Sequence, residues 1–578
     1  MQRLQQPNRY HLLLLLASIV LGLGLRLINL TDKCLWTDEL ATLVFSLGHS
    51  FLSIPLDQII TSETLLQPLV PDPQLNLGGV VEHLLGESNH PPLYFWLTHL
   101  WLQMFPTPDG LVSLWGARSL SALFGTAAIP AIFCLGYLAF RSLWIAQLAA
   151  LLMATSPLAI YLAQEARHYT LPILWVIASL ACLIIATRAL AERRPLPLWV
   201  MLVWIVVNGL GTASHYFFSL TLCAEGIVLL GLAGRQIQQQ ALSTDKTLKA
   251  NRSFWQKHPL RSTWLRIGVV GAGTLASLVV WLPFLQGVQD SEITQWIHRG
   301  NRVGLEWLDP VLQILAGAST MLYMLPIQAS NAPLSVVSFV ALVLLAIWTG
   351  FKINQGLRIS SANGYAVWIL GGFVVGAIAT FLIITYGFER EVTSAPRYHF
   401  VFFPAVILLI AAALVQQWSP SRAVLKQTAI IIVSLSLLGA ITVVSNLGYQ
   451  KTHRPDIVAQ AIREGPSQQS LIVIAHSTHG QTGRMMALAW DFKHRPLQPA
   501  PLFLMAHIID KPESVLIPLQ HSLEQISTPI TLWLLEFKGV PEDALQATLA
   551  AHHCQPQPQV KSATDGYRYR MHRCRGDQ

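Results

Sequence analysis

Two adjacent carboxylates, Asp38 and Glu39, stand in the segment WTDE just after the first long apolar run of the chain. A carboxylate within hydrogen-bond reach of a hydroxyl or amine can take its proton as a general base. A solvated helix start has the same appearance, so the pair alone decides nothing. Four further segments concentrate complementary groups: NHPPLYFW (89–96), QEARHYTL (164–171), SHYF (214–217) and EREVTSAPRYHF (389–400). Arg167 and Arg397, with His90, His168 and His215, suit a negatively charged oxygen cluster such as a phosphate. Glu165 adds a second acidic position, and Tyr94, Tyr169, Tyr216 and Tyr398 offer hydroxyls. Each segment also has a plain reading. HPPLYFW can be an interfacial anchor, and Glu165 can simply pair with Arg167.

What must position these groups is a membrane-spanning frame. Of 578 residues, 53% are hydrophobic and 12% charged, and the mean hydropathy is +0.47. Runs of about 20 apolar residues, enough to cross the hydrocarbon core as helices, recur along the chain. They fall near 11–30, 111–140, 143–163, 170–190, 197–214, 216–234, 267–286, 334–351, 365–386, 399–416 and 427–446. The first is too long, and too poorly followed by a small-residue cleavage site, for a removable signal peptide.

Charge sets the orientation. Residues 31–110 hold nine acids against Lys33, a net −8, whereas 235–266 hold seven bases against Asp245, a net +6. Basic loops stay cytoplasmic, which places the acidic stretch and all five segments on the outer side. Arg141, Arg193, Arg194, Lys352, Arg358, Arg422 and Lys426 then fall inside, provided that 310–326 does not cross. That stretch is expected to be an interfacial or re-entrant helix, with the preceding loop 289–309 a candidate cover over a substrate. The excess of positive charge sits in short loops between spans, so nucleic acid is not an expected partner. Ionisable groups gathered at a membrane edge are a functional hypothesis by default.

The tail from 447 changes character. SLIVIAHS and PITLWLLEF read as buried strands and PEDALQATLAAHH as a helix, so a small α/β domain over 447–578 is expected beside a domain over 1–446. Outside the membrane it lies in an oxidising space, where Cys554 and Cys574 can bridge. Cys134, Cys182 and Cys223 lie inside apolar runs as small hydrophobes. The spacing of His, Cys and acids gives no metal site.

Taken together, LWTDELAT, HPPLYFWL, SPLAIYLAQEARHYTL, SHYF and PRYHF resemble the signature segments of the PMT/aminoarabinose-transferase-like glycosyltransferases, the family 39-like group of the GT-C superfamily. The resemblance covers the order and spacing of segments over roughly residues 10–450 and is strongest in the first 220. It implies a polytopic α-helical enzyme of GT-C type. Such a chain has about eleven transmembrane helices, a large outer first loop (31–110) with interfacial helices, and here the C-terminal α/β domain. The implied reaction moves a sugar from a polyprenyl-phosphate donor to a lipid, glycan or protein acceptor at the outer face of the cytoplasmic (inner) membrane, with inversion. The implied base is Asp38, with Glu39 orienting it or holding the loop. Arg167 and Arg397 would hold the phosphate, with His90 and His168 as further candidates. Glu165 would grip sugar or acceptor, and Tyr94, Tyr169, His215, Tyr216 and Tyr398 complete the substrate-binding set. No organic cofactor is implied. A divalent cation near Asp38 and Glu39 stays open, since some GT-C enzymes need one.

Two other readings share the composition. A ligase of larger lipid-linked glycans would lean on basic outer loops, against the −8 of residues 31–110. A flippase or transporter would place ionisable residues near mid-bilayer, whereas the apolar runs here are largely free of charge, with Arg26 and Glu225 the main exceptions.

Overall fold

The computed structural model describes residues 9–88, 90–244, 259–281, 302–329, 331–359, 364–416, 423–557, 562–564 and 566–575. Asn89, residues 245–258 of the basic loop and residues 282–301, which hold most of the expected cover loop, lie outside them. Each of the eleven apolar runs contains a helix among the described residues. Eight helices are long and apolar enough to cross a membrane, among the described residues. Leu143–Thr155 and Pro157–Ala163, bent by 54° at their break, make a ninth if they form one span. Leu198–Ser214 and Phe403–Gln416 are shorter apolar helices. The described residues thus give eight helices of spanning length, or nine with the bent pair, against the eleven expected. The helix Asp309–Thr320 has 12 residues, a length of about 18 Å against a hydrocarbon core of about 30 Å. It does not reach across. Its exposed Leu312 and Leu315 and its buried Ile314 and Gly317 give it two unlike faces.

Two compact units emerge. One comprises Met1–Leu30, Asn89–Tyr94 and Arg118–Tyr449; the other comprises Thr31–Ser88, Phe95–Ala117 and Gln450–Gln578. The units thus differ from a simple division at 446/447, because most of the first outer stretch belongs with the tail.

The helical unit explains its own buried charge. Arg26, fully buried in the helix Arg9–Leu27, donates to the carbonyls of Gly22 (2.8 Å), Met153 (3.0 Å) and Ala154 (3.2 Å). The last two close the helix Leu143–Thr155, where terminal carbonyls lack intrahelical partners and favour a cation. The break that follows is prepared by Ser156, whose hydroxyl caps the next helix at the Ala159 amide, and by Pro157 at its first position.

The second unit is an α/β layer. β1 (Ile59–Ile60), β2 (Gln469–His476), β3 (Leu502–His507), β4 (Ile530–Leu535), β5 (Cys554–Pro556), β6 (Ser562–Thr564) and β7 (Tyr567–Cys574) form one sheet in the order β1-β3-β2-β4-β7-β5, with β6 also on β7. β2 pairs parallel with β3 and β4, with Val473 opposite Leu504 and Leu534. Such central strands are covered on both faces and so read as continuous apolar runs, which LIVIA is. Helices His479–His494 and Leu516–Glu524 connect them. The expected strands and the helix Glu542–Ala551 are therefore present. Cys554 and Cys574 face each other across β5 and β7 and are bridged. The edge strand β1 comes from the first outer stretch and pairs antiparallel with β3, Ile59 opposite Leu504. Asp57 anchors it, accepting from the His507 amide (2.7 Å) and donating its own amide to the Met505 carbonyl (3.0 Å).

Candidate functional site

The turn that carries QEARHY lies between the helices Pro157–Ala163 and Thr170–Ala191. Gln164 ties its start to the first helix, donating to the carbonyls of Ile28 (2.9 Å) and Leu25 (3.3 Å). The Arg167 carbonyl accepts from Ser121 (2.9 Å), which in turn shares a hydrogen bond with the buried Tyr94 hydroxyl (2.7 Å). Tyr94 is thereby linked through Ser121 to the backbone of the turn that carries Arg167.

Around this turn the helical unit assembles most of the candidates. His168 lies with its ring centroid 4.5 Å from His215, 5.1 Å from His90 and 6.0 Å from Tyr94. Tyr169 is flanked by both guanidiniums, with Arg167 at 5.7 Å and Arg397 at 5.9 Å from its ring. Tyr398 packs 6.4 Å from Tyr169 and 6.2 Å from His215, and against Phe217 at 4.5 Å. Arg167 approaches His90 at 3.4 Å. Glu165, 1% exposed, is the carboxylate this turn supplies.

Electrostatics follow from these neighbours. Burial, then the charges of Arg167 and Arg397, push His90 down to about 3. Burial, with His215, Arg167 and further cationic neighbours, holds His168 well below its ordinary 6.5. His215 is held down in the same way, by burial first and then by His90 and the two arginines. The histidines are therefore neutral near pH 7. Nδ1 of His215 accepts the Phe217 amide (3.0 Å), which puts the proton of the neutral ring on Nε2. That Nε2–H is buried and has no partner among the described residues. Two guanidiniums, one carboxylate and a neutral imidazole donor make a cluster with surplus positive charge, fitted to an oxyanion.

Tyr216 departs from this group. It is half-buried, and its ring meets Trp281 at 6.1 Å. Tyr161, not among the candidates although SPLAIYLAQEARHYTL contains it, stacks flat on Tyr449 at 4.1 Å. His399 of PRYHF is fully buried against Gly317 of the helix Asp309–Thr320, where even a methyl group would collide with the imidazole. The short helix is thereby seated on the segment that carries Arg397 and Tyr398.

Asp38 and Glu39 lie in the second unit, in the first turn of the helix Thr37–Ser46, where carboxylates oppose the positive end of the helix. Their environments differ, as residues about 100° apart on a helix must. Glu39 is fully buried and paired with the buried Lys451 at 3.7 Å, and the Lys451 ammonium also lies 5.2 Å from the Trp36 ring. Asp38 is partly accessible. Beside it, His453 is pushed down to about 4 by burial and by Arg484, against the opposing pull of the Asp38 charge. Nothing in the local pattern around KTHRPD marked Lys451 as the partner of Glu39. Among the described residues no three His, Cys, Asp or Glu side chains are grouped to hold a metal.

No protein-family model matches the chain, and no curated protein matches it. Among solved structures it is similar to ArnT from Cupriavidus metallidurans bound to undecaprenyl phosphate, at 14% identity and a TM-score of 0.47, over 98% of this chain and 99% of that one. It is also similar to the Archaeoglobus fulgidus oligosaccharyltransferase in its apo form (13%, TM-score 0.44, 97% of this chain and 74% of that one). A third is the S. cerevisiae protein O-mannosyltransferase Pmt1-Pmt2 complex bound to the sugar donor (12%, TM-score 0.30, 49% and 34%).

Proposed function

We propose that this protein is a glycosyltransferase of the cytoplasmic membrane that takes a sugar from a polyprenyl-phosphate donor and moves it, with inversion, to an acceptor on the outer face. The observation that carries this reading is the pair of guanidiniums that both approach the ring of Tyr169, accompanied by histidines held neutral. The leaving group of such a transfer is a phosphate that already carries negative charge. It needs cations and fixed donors rather than a proton, and Arg167, Arg397 and the His215 Nε2–H supply them. The acceptor needs a base, the role that the motif resemblance gives to Asp38. The buried pair with Lys451 leaves Glu39 the part of holding the Asp38 turn in place. The same pair counts against a divalent ion between the two acids, because Lys451 already neutralises Glu39, so no step is assigned to a metal. The Cys554–Cys574 bridge is in keeping with an oxidising space around the second unit.

The test is transfer from a polyprenyl-phosphate sugar by protein in nanodiscs. Asp38→Asn is expected to lower turnover at least about 100-fold while donor binding persists, the range for loss of a general base. Arg167→Gln is expected to weaken donor binding about 10-fold or more, the loss of one charge-assisted contact. Full transfer activity in Asp38→Asn would remove the base assignment.

A further inference from the structure

A cavity of about 440 Å³ lies within the second unit, bounded by residues 31–35 and 107–115 of the first outer stretch and by parts of the tail. Its size falls in the range of small-molecule sites, about 300–1,000 Å³, and it does not involve the arginine–histidine cluster. Two tryptophans line it, Trp115 and Trp490. Trp115 is 45% exposed, and Trp490 is braced by His494, whose ring lies 4.6 Å away and whose Nδ1 contacts the Trp490 carbonyl at 2.9 Å.

The charges around these rings decide the class of ligand. Asp456 is held by Arg454 through two hydrogen bonds (2.9 and 2.7 Å), and Asp491 by Arg463 (2.6 Å). Both acids are therefore matched within the protein. Of the remaining charged groups on the wall, Asp32 and Asp109 are balanced in number by Lys33 and Arg495. A phosphate site would show surplus cations, and a calcium site would show several carboxylates without arginine partners. Aromatic faces beside a charge-neutral ring of donors and acceptors suit a polyhydroxylated ring. Its C–H face packs on indole, and each hydroxyl both donates and accepts.

We propose that this cavity binds the ring of an uncharged sugar, packed on Trp490 and held through its hydroxyls by Asp32, Asp109 and Arg495. Assigning that ring to the acceptor rests on the transferase reading above; sugar binding itself does not. The experiment is saturation-transfer NMR on the full chain in nanodiscs, free of sugar-based detergent. Methyl glucoside, methyl mannoside and N-acetylglucosamine are each added to about 10 mM, where millimolar binding is detectable, with glycerol as the control. The expected result is saturation of the ring protons of at least one sugar, unchanged in Asp38→Asn and lost in Trp490→Ala and Asp109→Asn. Trp115→Ala, at an exposed ring, gives the same readout should Trp490→Ala fold poorly. No saturation with any of the three sugars, or saturation that survives in Trp490→Ala, Trp115→Ala and Asp109→Asn alike, would overturn the proposal. Sugar binding in a chain that transfers nothing from a polyprenyl-phosphate sugar would leave the sugar site standing and remove only the transferase reading.

Discussion

At the scale of single residues, the acidic pair that opens the first outer stretch divides its labour through burial. Glu39 and Lys451 are both buried and lie 3.7 Å apart as an ion pair, and burying a charge is costly unless it is paired. Removing one partner takes this ion pair away from the other buried charge, at a cost of up to about 3–5 kcal/mol. Replacing both with apolar or neutral groups of similar volume removes that cost. Glu39→Gln is therefore expected to lower the thermal stability of the second unit and to cut transfer by displacing Asp38. Glu39→Gln with Lys451→Met should recover most of the stability. Differential scanning calorimetry of the two variants checks this, and equal losses in both would contradict it. The histidines make a second residue-scale prediction. His90, near 3 in the folded chain, has an unfolded value of 6.5, so between these limits the unfolded chain binds more protons. The contribution is complete above pH 6.5 and is lost progressively as the pH falls toward 3. His168 and His215 add to the same trend. Thermal unfolding in nanodiscs should therefore shift downward from above pH 6.5 to about pH 5, and His90→Gln should flatten the slope. An unfolding temperature flat across that window would show that these histidines take up protons in the folded chain as they do in the unfolded one. Nearly all of this chemistry was legible as residue types in short segments, because ionisable groups stand out against apolar runs. Lys451 was not legible, because an ion-pair partner far along the chain leaves no mark in the local pattern.

At the scale of elements, legibility followed how strongly each element is constrained. A span needs a fixed length of apolar residues, so every helix of that kind could be read directly, even where Ser156 and Pro157 break one in two. The continuous apolar runs of β2 and β4 were equally plain. β1 was not, since two isoleucines next to Asp57 become a strand only through pairing with β3. The pairing of β5 with β7 belongs to the same long-range class, and there the cysteines supplied the signal. Their bridge closes a loop across a sequence separation of 20, which removes unfolded-state freedom worth about 3 kcal/mol by the chain-entropy relation. Cys554→Ser with Cys574→Ser should thus lower the opening free energy of β5 and β7 by about that amount. The effect on helices of the first unit should be negligible. Hydrogen exchange resolved by peptide measures both at once. Unchanged protection in residues 567–574 would mean that the sheet, not the bridge, limits opening.

At the scale of the whole molecule, one pairing constrains the topology. β1 follows the first apolar helix and β3 follows the last, yet the two share hydrogen bonds in one sheet. Both must lie on the same side of the membrane, so the chain makes an even number of crossings between residues 30 and 450. Among the described residues the apolar helices after the first number ten when the bent pair is taken as one span and both short helices are included, which satisfies the condition. Adding Asp309–Thr320 would make the number odd and separate β1 from β3 by a bilayer. Its length of 12 residues points the same way. If all ten cross, five of them precede the segment 235–266, an odd number, which agrees with the cytoplasmic side expected from its seven basic residues. Reporter fusions test the count directly. Alkaline phosphatase joined after Gln578 or inserted at the exposed Leu52 turn should be active, and a fluorescent protein inserted within 245–258 should be bright only in the cytoplasmic orientation. Opposite outcomes for Leu52 and Gln578 would break the parity and, with it, the shared sheet. Matching outcomes with the basic loop on the same side would instead show that both short helices, Leu198–Ser214 before the loop and Phe403–Gln416 after it, turn back within the membrane.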